Sequence, residues 1–275
     1  MNADEPIAGH YSHGTLEQAI LEALQAMGKD PARIAADDLA PVDEFHTGGR
    51  PATVELLAPL GLTADMHLLD VGSGLGGPAR YVAGAFGCRV TGIDLTEEYV
   101  RVAGALSRRV GLGDRVEFRH GSAVALPFAE ASFDGAYMIH VGMNIADKPA
   151  LFAAVRRVLR PGARFALFDM MRRAAGDLAF PVPWAAGPAT SFVATPAAYR
   201  SGLEQAGFAI GHERERRDFA IDFFRKVRAR MAEAGLPPLS LQIVMGADFG
   251  HKIANLLANL ERGLLAPVEM VARAP

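Results

Sequence analysis

A single cysteine, Cys88, in 275 residues excludes an intrachain disulfide, so the fold must be held by its core. Basic and acidic residues number 28 and 31, which leaves none of the positive excess that binding a nucleic-acid backbone demands. No nucleic-acid partner is expected. No apolar run nears the roughly 20 residues of a bilayer helix. Near the start, Asp4, Glu5 and Pro6 stand where a leader would carry basic residues before an apolar run. A soluble, cytoplasmic protein without a membrane span is the expectation. No H-x-x-x-H pair occurs, and no metal is expected.

What is present is apolar and regularly punctuated. Half of the residues are hydrophobic, enough for a core of ordinary size. Leu16, Ile20, Leu24 and Met27 share a helical face, with Thr15 as N-cap and Gly28 as stop. A polar, proline-punctuated connector follows over 29–43. From residue 66, short apolar runs at 66–71, 88–93, 116–120, 135–139, 164–168 and 208–211 alternate with helical patterns, and a last run covers 268–272. Such alternation predicts a doubly wound, mostly parallel seven-stranded sheet of the α/β, Rossmann-like class, covered on both faces. Two amphipathic stretches interrupt it, one through Phe219, Phe223, Val227 and Met231, the other through Ile253 to Leu264. The division predicted is an N-terminal helical cap segment over 1–50, a cofactor-binding α/β core over 51–215, a helical lid insertion over 216–265 and a last edge strand over 266–275. The 219–231 stripe suits lid core or a homodimer surface, because its polar face mixes both charge signs.

The most informative segment is Leu68-Leu69-Asp70-Val71-Gly72-Ser73-Gly74-Leu75-Gly76-Gly77. An apolar strand runs into a glycine turn that lets a ligand approach the backbone, and Pro78 then opens a helix. Gly72, Gly74 and Gly77 also satisfy the G-x-G-x-x-G dinucleotide pattern, and Asp94, closing the second strand, can accept ribose hydroxyls in either class. Asp70 separates the two. A carboxylate at the turn repels a pyrophosphate and favours a ligand bearing an ammonium and a sulfonium. A nicotinamide-dependent dehydrogenase and a non-catalytic sensor stay open as alternatives.

The glycine segment, Leu126-Pro127-Phe128 through Phe133-Asp134, and Leu159-Arg160-Pro161-Gly162 match in order the motifs of class I S-adenosylmethionine-dependent methyltransferases. Tyr11 with Gly14, the segment Phe45-His46-Thr47-Gly48-Gly49, Ile139-His140 and Pro183-Trp184 resemble sarcosine/dimethylglycine and phosphoethanolamine N-methyltransferases, within the group that includes ubiquinone/menaquinone methyltransferases. The resemblance implies S-adenosyl-L-methionine as cofactor and a small-molecule methyl acceptor. It places Thr47, Gly48, Asp70, Gly72, Ser73, Gly74, Asp94, Leu95, Ser122 and Ala123 around the cofactor. The family often has an acidic residue after the glycine that follows the third strand; here Gly121 is followed by Ser122 and Ala123. His140, at the end of the fourth strand, and Tyr11 are the implied catalytic pair, with His140 as base. His46 and Trp184 are the implied substrate residues. N-methylation of a sarcosine- or dimethylglycine-like amine is the first expectation, and C- or O-methylation of a quinone-like or natural-product acceptor the alternative. The remaining histidines, including His13 and His67, have no supporting context and read as solvent-facing.

Overall fold

A computed structural model of the chain describes residues 4–11 and 14–275; His13 lies outside them. The strands are β1 (His67–Val71), β2 (Arg89–Asp94), β3 (Val116–His120), β4 (Phe133–Ile139), β5 (Leu159–Arg172), β6 (Ala209–Glu215) and β7 (Leu265–Arg273). They form one seven-stranded sheet in the order β3-β2-β1-β4-β5-β7-β6. The first five are mutually parallel, and β7 runs antiparallel to both β5 and β6. Successive residues point to opposite faces, so Leu69 and Met138 join one apolar layer with Phe152 and Phe165, while Leu68 and Tyr137 join another with Val82 and Phe168. The strand order reverses between β1 and β4, and the carboxyl ends of those two strands frame the crevice.

One expectation is corrected. The last strand is not an edge. Residues 265–270 of β7 are buried without a break, and β7 is paired along both sides. The edge falls instead to β6, whose His212, Glu213, Arg214 and Glu215 are exposed. Charged side chains suit an edge because they discourage further strand pairing, whereas β7 is covered on both faces over 265–270 and its one charged residue there, Glu269, is paired with Arg214 and Arg216.

The helices are α1 (Asp4–Tyr11), α2 (Leu16–Ala26), α3 (Ala40–Asp43), α4 (Gly49–Leu57), α5 (Gly77–Phe86), α6 (Glu97–Arg109), α7 (Lys148–Val158), α8 (Pro196–Gln205), α9 (Arg217–Ala234), α10 (Gln242–Met245) and α11 (Phe249–Glu261). The last three enter between β6 and β7 and bury Phe224, Met245, Phe249 and Leu256 with Met143 and Trp184. Among the described residues, no helix is long and apolar enough to cross a membrane. Thr15 stands at the start of α2, but its hydroxyl makes no cap; the Glu98 carboxylate on α6 accepts from the Leu16 N–H at 3.1 Å and the Gly14 N–H at 2.8 Å. Gly28 takes φ 74°, as a helix stop requires. α1 and the short turns within 36–43 were not evident in the sequence pattern.

The N-terminal segment is pinned to the sheet by one buried ion pair. The Arg80 guanidinium on α5 has no exposed surface and donates to Asp43 Oδ2 at 2.6 Å, to the Leu75 carbonyl at 2.6 Å and to Ser107 Oγ at 3.1 Å. Removing the carboxylate would strand a buried cation, a defect worth about 3–5 kcal/mol. Asp43→Ala should therefore lower unfolding stability by that order in a denaturant titration; a loss below about 1 kcal/mol would show that the pair is not a structural pin.

Candidate active site

At the carboxyl ends of β1 and β4 lies a cavity of about 300 Å³. The glycine turn forms its floor. Gly72 sits at φ 74°, and a Cβ there would overlap the methyls of Val141. Asp70 is buried, its Oδ2 has no hydrogen-bond partner, and burial pushes its carboxyl well above the usual range, with the charges of Asp94 and Glu44 adding to the effect. Ser73 Oγ and Thr47 Oγ1 are likewise buried without partners. Asp94 is fixed by the Gly74 N–H on Oδ2 at 2.8 Å and the Thr96 N–H on Oδ1 at 2.9 Å.

These groups describe the ligand they suit. Asp43, Asp70 and Asp94 all line the cavity, and among the described residues no lysine or arginine does. A diphosphate would meet carboxylates and no cation. A positively charged nucleoside without phosphate satisfies the orphaned Asp70 oxygen and can still reach the remaining lone pairs of Asp94. Leu95, Ser122 and Ala123 line the same half. Gly48 is the exception in the sequence-derived set: it is not a lining residue, and the space beside its Cα is taken by the Phe219 ring, 2.6 Å from where a Cβ would stand.

The other half of the cavity is built by the N-terminal segment, the residues after β4 and the helical insertion. Tyr11, Phe45, His46, His140, Met143, Asn144 and Trp184 meet Phe223, Phe224, Leu241, Met245 and Leu256 there. His140 follows β4 directly, at φ 54°, a left-handed conformation that costs a non-glycine residue about 1–3 kcal/mol and is kept mainly where the surroundings or a function demand it. Its Nε2 is buried without a partner, and burial, aided by His46, holds its pKa well below 6.5. The His46 and His140 ring centroids are 6.1 Å apart. His46 is pushed down to about 4 by burial. Tyr11 reaches the cavity, but its hydroxyl pairs with Asn144, 3.2 Å from Nδ2, and burial raises its pKa so that it stays neutral. The Trp184 indole N–H donates to Ser191 Oγ at 2.9 Å. His67, read as solvent-facing, is half-buried on the sheet and pairs with Thr91 Oγ1 at 2.8 Å.

Three parts of the site were missed in the sequence. Glu44 is buried beside His46, and Asp43 is locked to Arg80. Asn144 holds Tyr11. The only local hint was the Asp43-Glu44 pair ahead of His46; the Arg80 contact is too distant in sequence to leave a spacing signal.

Residues 69–167 match the methyltransferase domain family. The O-methyltransferase resE of Aspergillus sclerotiorum is 38% identical over 118 residues, covering 43% of this chain and 45% of that protein. Across three curated relatives the chain spans 30%, 45% and 56% of their lengths. Among solved structures, the Haemonchus contortus phosphoethanolamine N-methyltransferase 2 complex with S-adenosyl-L-methionine superposes with a TM-score of 0.76 at 18% identity, over 100% of this chain and 60% of that one. The [4+2]-cyclase SpnF superposes with a TM-score of 0.70 at 19% identity, over 100% and 97%. At such identities these two likenesses speak to the fold.

If Asp70 receives the cationic end of adenosylmethionine, binding must favour the ionised form of a carboxyl whose pKa burial raises. Affinity should then rise with pH through the raised Asp70 pKa. Asp70→Asn should flatten that dependence and weaken binding roughly tenfold to a hundredfold in calorimetry, as expected for a lost charged hydrogen bond. Equal affinity and an equal pH slope in the variant would contradict the assignment. With the glycine turn, the strand order and the matched segment in agreement, residues 69–167 of this chain match the methyltransferase domain family and sit in a doubly wound, seven-stranded α/β fold shared with methyltransferases of known structure.

Proposed function

We propose that the chain transfers a methyl group from S-adenosylmethionine to an uncharged, largely apolar small molecule, at a hydroxyl or an activated carbon. The observation that carries this reading is the acceptor half of the cavity, walled by Phe45, Met143, Trp184, Phe223, Phe224 and Leu256, with no lysine or arginine among the described residues that line the cavity. Sarcosine and dimethylglycine bear a carboxylate, and phosphoethanolamine a phosphate. Either anion would be desolvated here without a partner, which is strongly unfavourable. The alternative drawn from the sequence, a quinone-like or natural-product acceptor, fits these walls better than the amino-acid amine. A relative named as an O-methyltransferase agrees with it.

Adenosylmethionine, when bound, supplies an electrophilic methyl group on a sulfonium. Asp70 and Asp94 hold its charged and ribose portions, with Ser122 and Ala123 beside them. Alignment of acceptor and methyl in a dry site can lower the barrier by roughly 7–11 kcal/mol. A hydroxyl must also lose its proton, and the neutral imidazoles of His140 and His46 stand at the acceptor end to orient it and receive that proton. Tyr11, neutral and held by Asn144, shapes the wall and can donate a hydrogen bond.

The full-length likeness to a cyclase supports a second reading, an apolar chamber that promotes ring closure, because one fold hosts many chemistries. Mass spectrometry separates the two. Incubation with adenosylmethionine and a panel of neutral phenols and hydroxyquinones should add the mass of one methylene to an acceptor, while sarcosine, dimethylglycine and phosphoethanolamine remain unmodified. Methylation of the charged amines alone would overturn the acceptor class; an isomerised product of unchanged mass would favour the cyclase.

A further inference from the structure

The two imidazoles at the acceptor end are not equivalent. His140 Nε2 has no partner. His46 is held by a built array: its Nε2 lies 3.2 Å from the Gly49 carbonyl, 3.0 Å from Thr53 Oγ1 and 3.5 Å from Glu44 Oε2. A carbonyl only accepts, so Nε2 carries the hydrogen and the lone pair is left on Nδ1. Thr53 Oγ1 donates to Glu44 Oε2 at 2.7 Å, which leaves its own lone pair for the His46 N–H. Glu44 is itself buried and anchored through Oε1 by Arg50. A base oriented by a hydroxyl and a buried carboxylate is the arrangement that activates an imidazole.

We propose that His46 is the catalytic base of the methyl transfer, with Glu44 and Thr53 as its positioning residues and His140 orienting the acceptor hydroxyl. This rests on the methyltransferase reading above. The acceptor O–H bond breaks and its proton passes to Nδ1 of His46. The O–C bond forms as the methyl C–S bond breaks, and that electron pair stays on sulfur. The sulfonium charge is lost from the cavity in the same event that an imidazolium appears, so the net charge facing the carboxylates does not change. The charged groups around His46 are Glu44, Asp43 and Arg50 from the N-terminal segment and α4, with Arg80 from α5 behind Asp43; neutral His140 faces it from the residue after β4.

Nitrogen NMR of the protein without substrate reads the array directly. His46 should be the Nε2–H tautomer, and Glu44→Gln should move its titration to lower pH, because a carboxylate that stabilises the imidazolium is gone. An Nδ1–H tautomer, or an unchanged titration, would overturn the relay whatever the enzyme methylates. In turnover with a neutral hydroxyl acceptor, Glu44→Gln should lower kcat roughly tenfold to a hundredfold with KM changed less than about threefold, and shift the acid limb of the pH profile down. Thr53→Val should act in the same direction more weakly, which guards against a folding defect in the first variant. His46→Asn should remove the acid limb while His140→Asn keeps it. The reverse pattern, with the limb lost only in His140→Asn, would return the base to His140. Absence of methyl transfer to any acceptor would overturn the functional reading and the proton step with it, and is told apart from failure of the array by the tautomer.

Discussion

A guanidinium without water needs a carboxylate, and the placing of the whole site follows from how this chain supplies one. Arg80 lies one turn into the helix that follows the glycine loop, and Asp43 reaches it from the N-terminal segment. The pair fixes that segment over the carboxyl ends of the parallel strands. Phe45, His46 and Thr47 follow Asp43 after Glu44 alone and are thereby held above β1 and β4. A buried pair adds little net stability over an apolar substitute but is costly to break, so its effect is on position.

From that placement comes a cavity with two unlike halves. Toward β2, carboxylates at Asp70 and Asp94 and orphaned hydroxyls at Ser73 and Thr47 await polar and cationic groups. Toward the helical insertion the walls are largely aromatic and aliphatic, and the polar groups there include neutral imidazoles, a neutral phenol and an amide. Burial does both jobs. It holds Asp70 in a state that a cation can pull to the ionised form, and it keeps His46 and His140 uncharged, ready to accept a proton.

Much of this was legible in the sequence. The strand–glycine–helix segment at 68–78 and the alternation after it depend on local periodicity and turn chemistry, and the sheet, the crevice and the lining by Asp70, Ser73, Asp94, Ser122, Ala123 and His140 follow from them. What escaped depends on contacts between distant segments. The 268–272 run reads as one more strand, and nothing in its spacing marks an interior place; position in an antiparallel ladder is decided by the partners on either side. Gly48 was placed by resemblance beside the cofactor, yet the ring of Phe219, 171 positions later, fills that space. The amine acceptor was inferred from His140 and Tyr11 alone. The lid residues that make the pocket apolar had been noted as a stripe, but their meeting with Trp184 and Met143 could not be read from spacing.

The most direct measurement is a crystal structure of the chain with S-adenosylhomocysteine and a neutral phenolic acceptor. The account predicts the amino group within hydrogen-bond distance of Asp70, the ribose on Asp94, and the acceptor oxygen between the sulfur and the two imidazoles, enclosed by Trp184 and Phe223. A nucleoside bound away from Asp70, or an acceptor anchored through an anionic group to a cation that moves into the cavity, would contradict it.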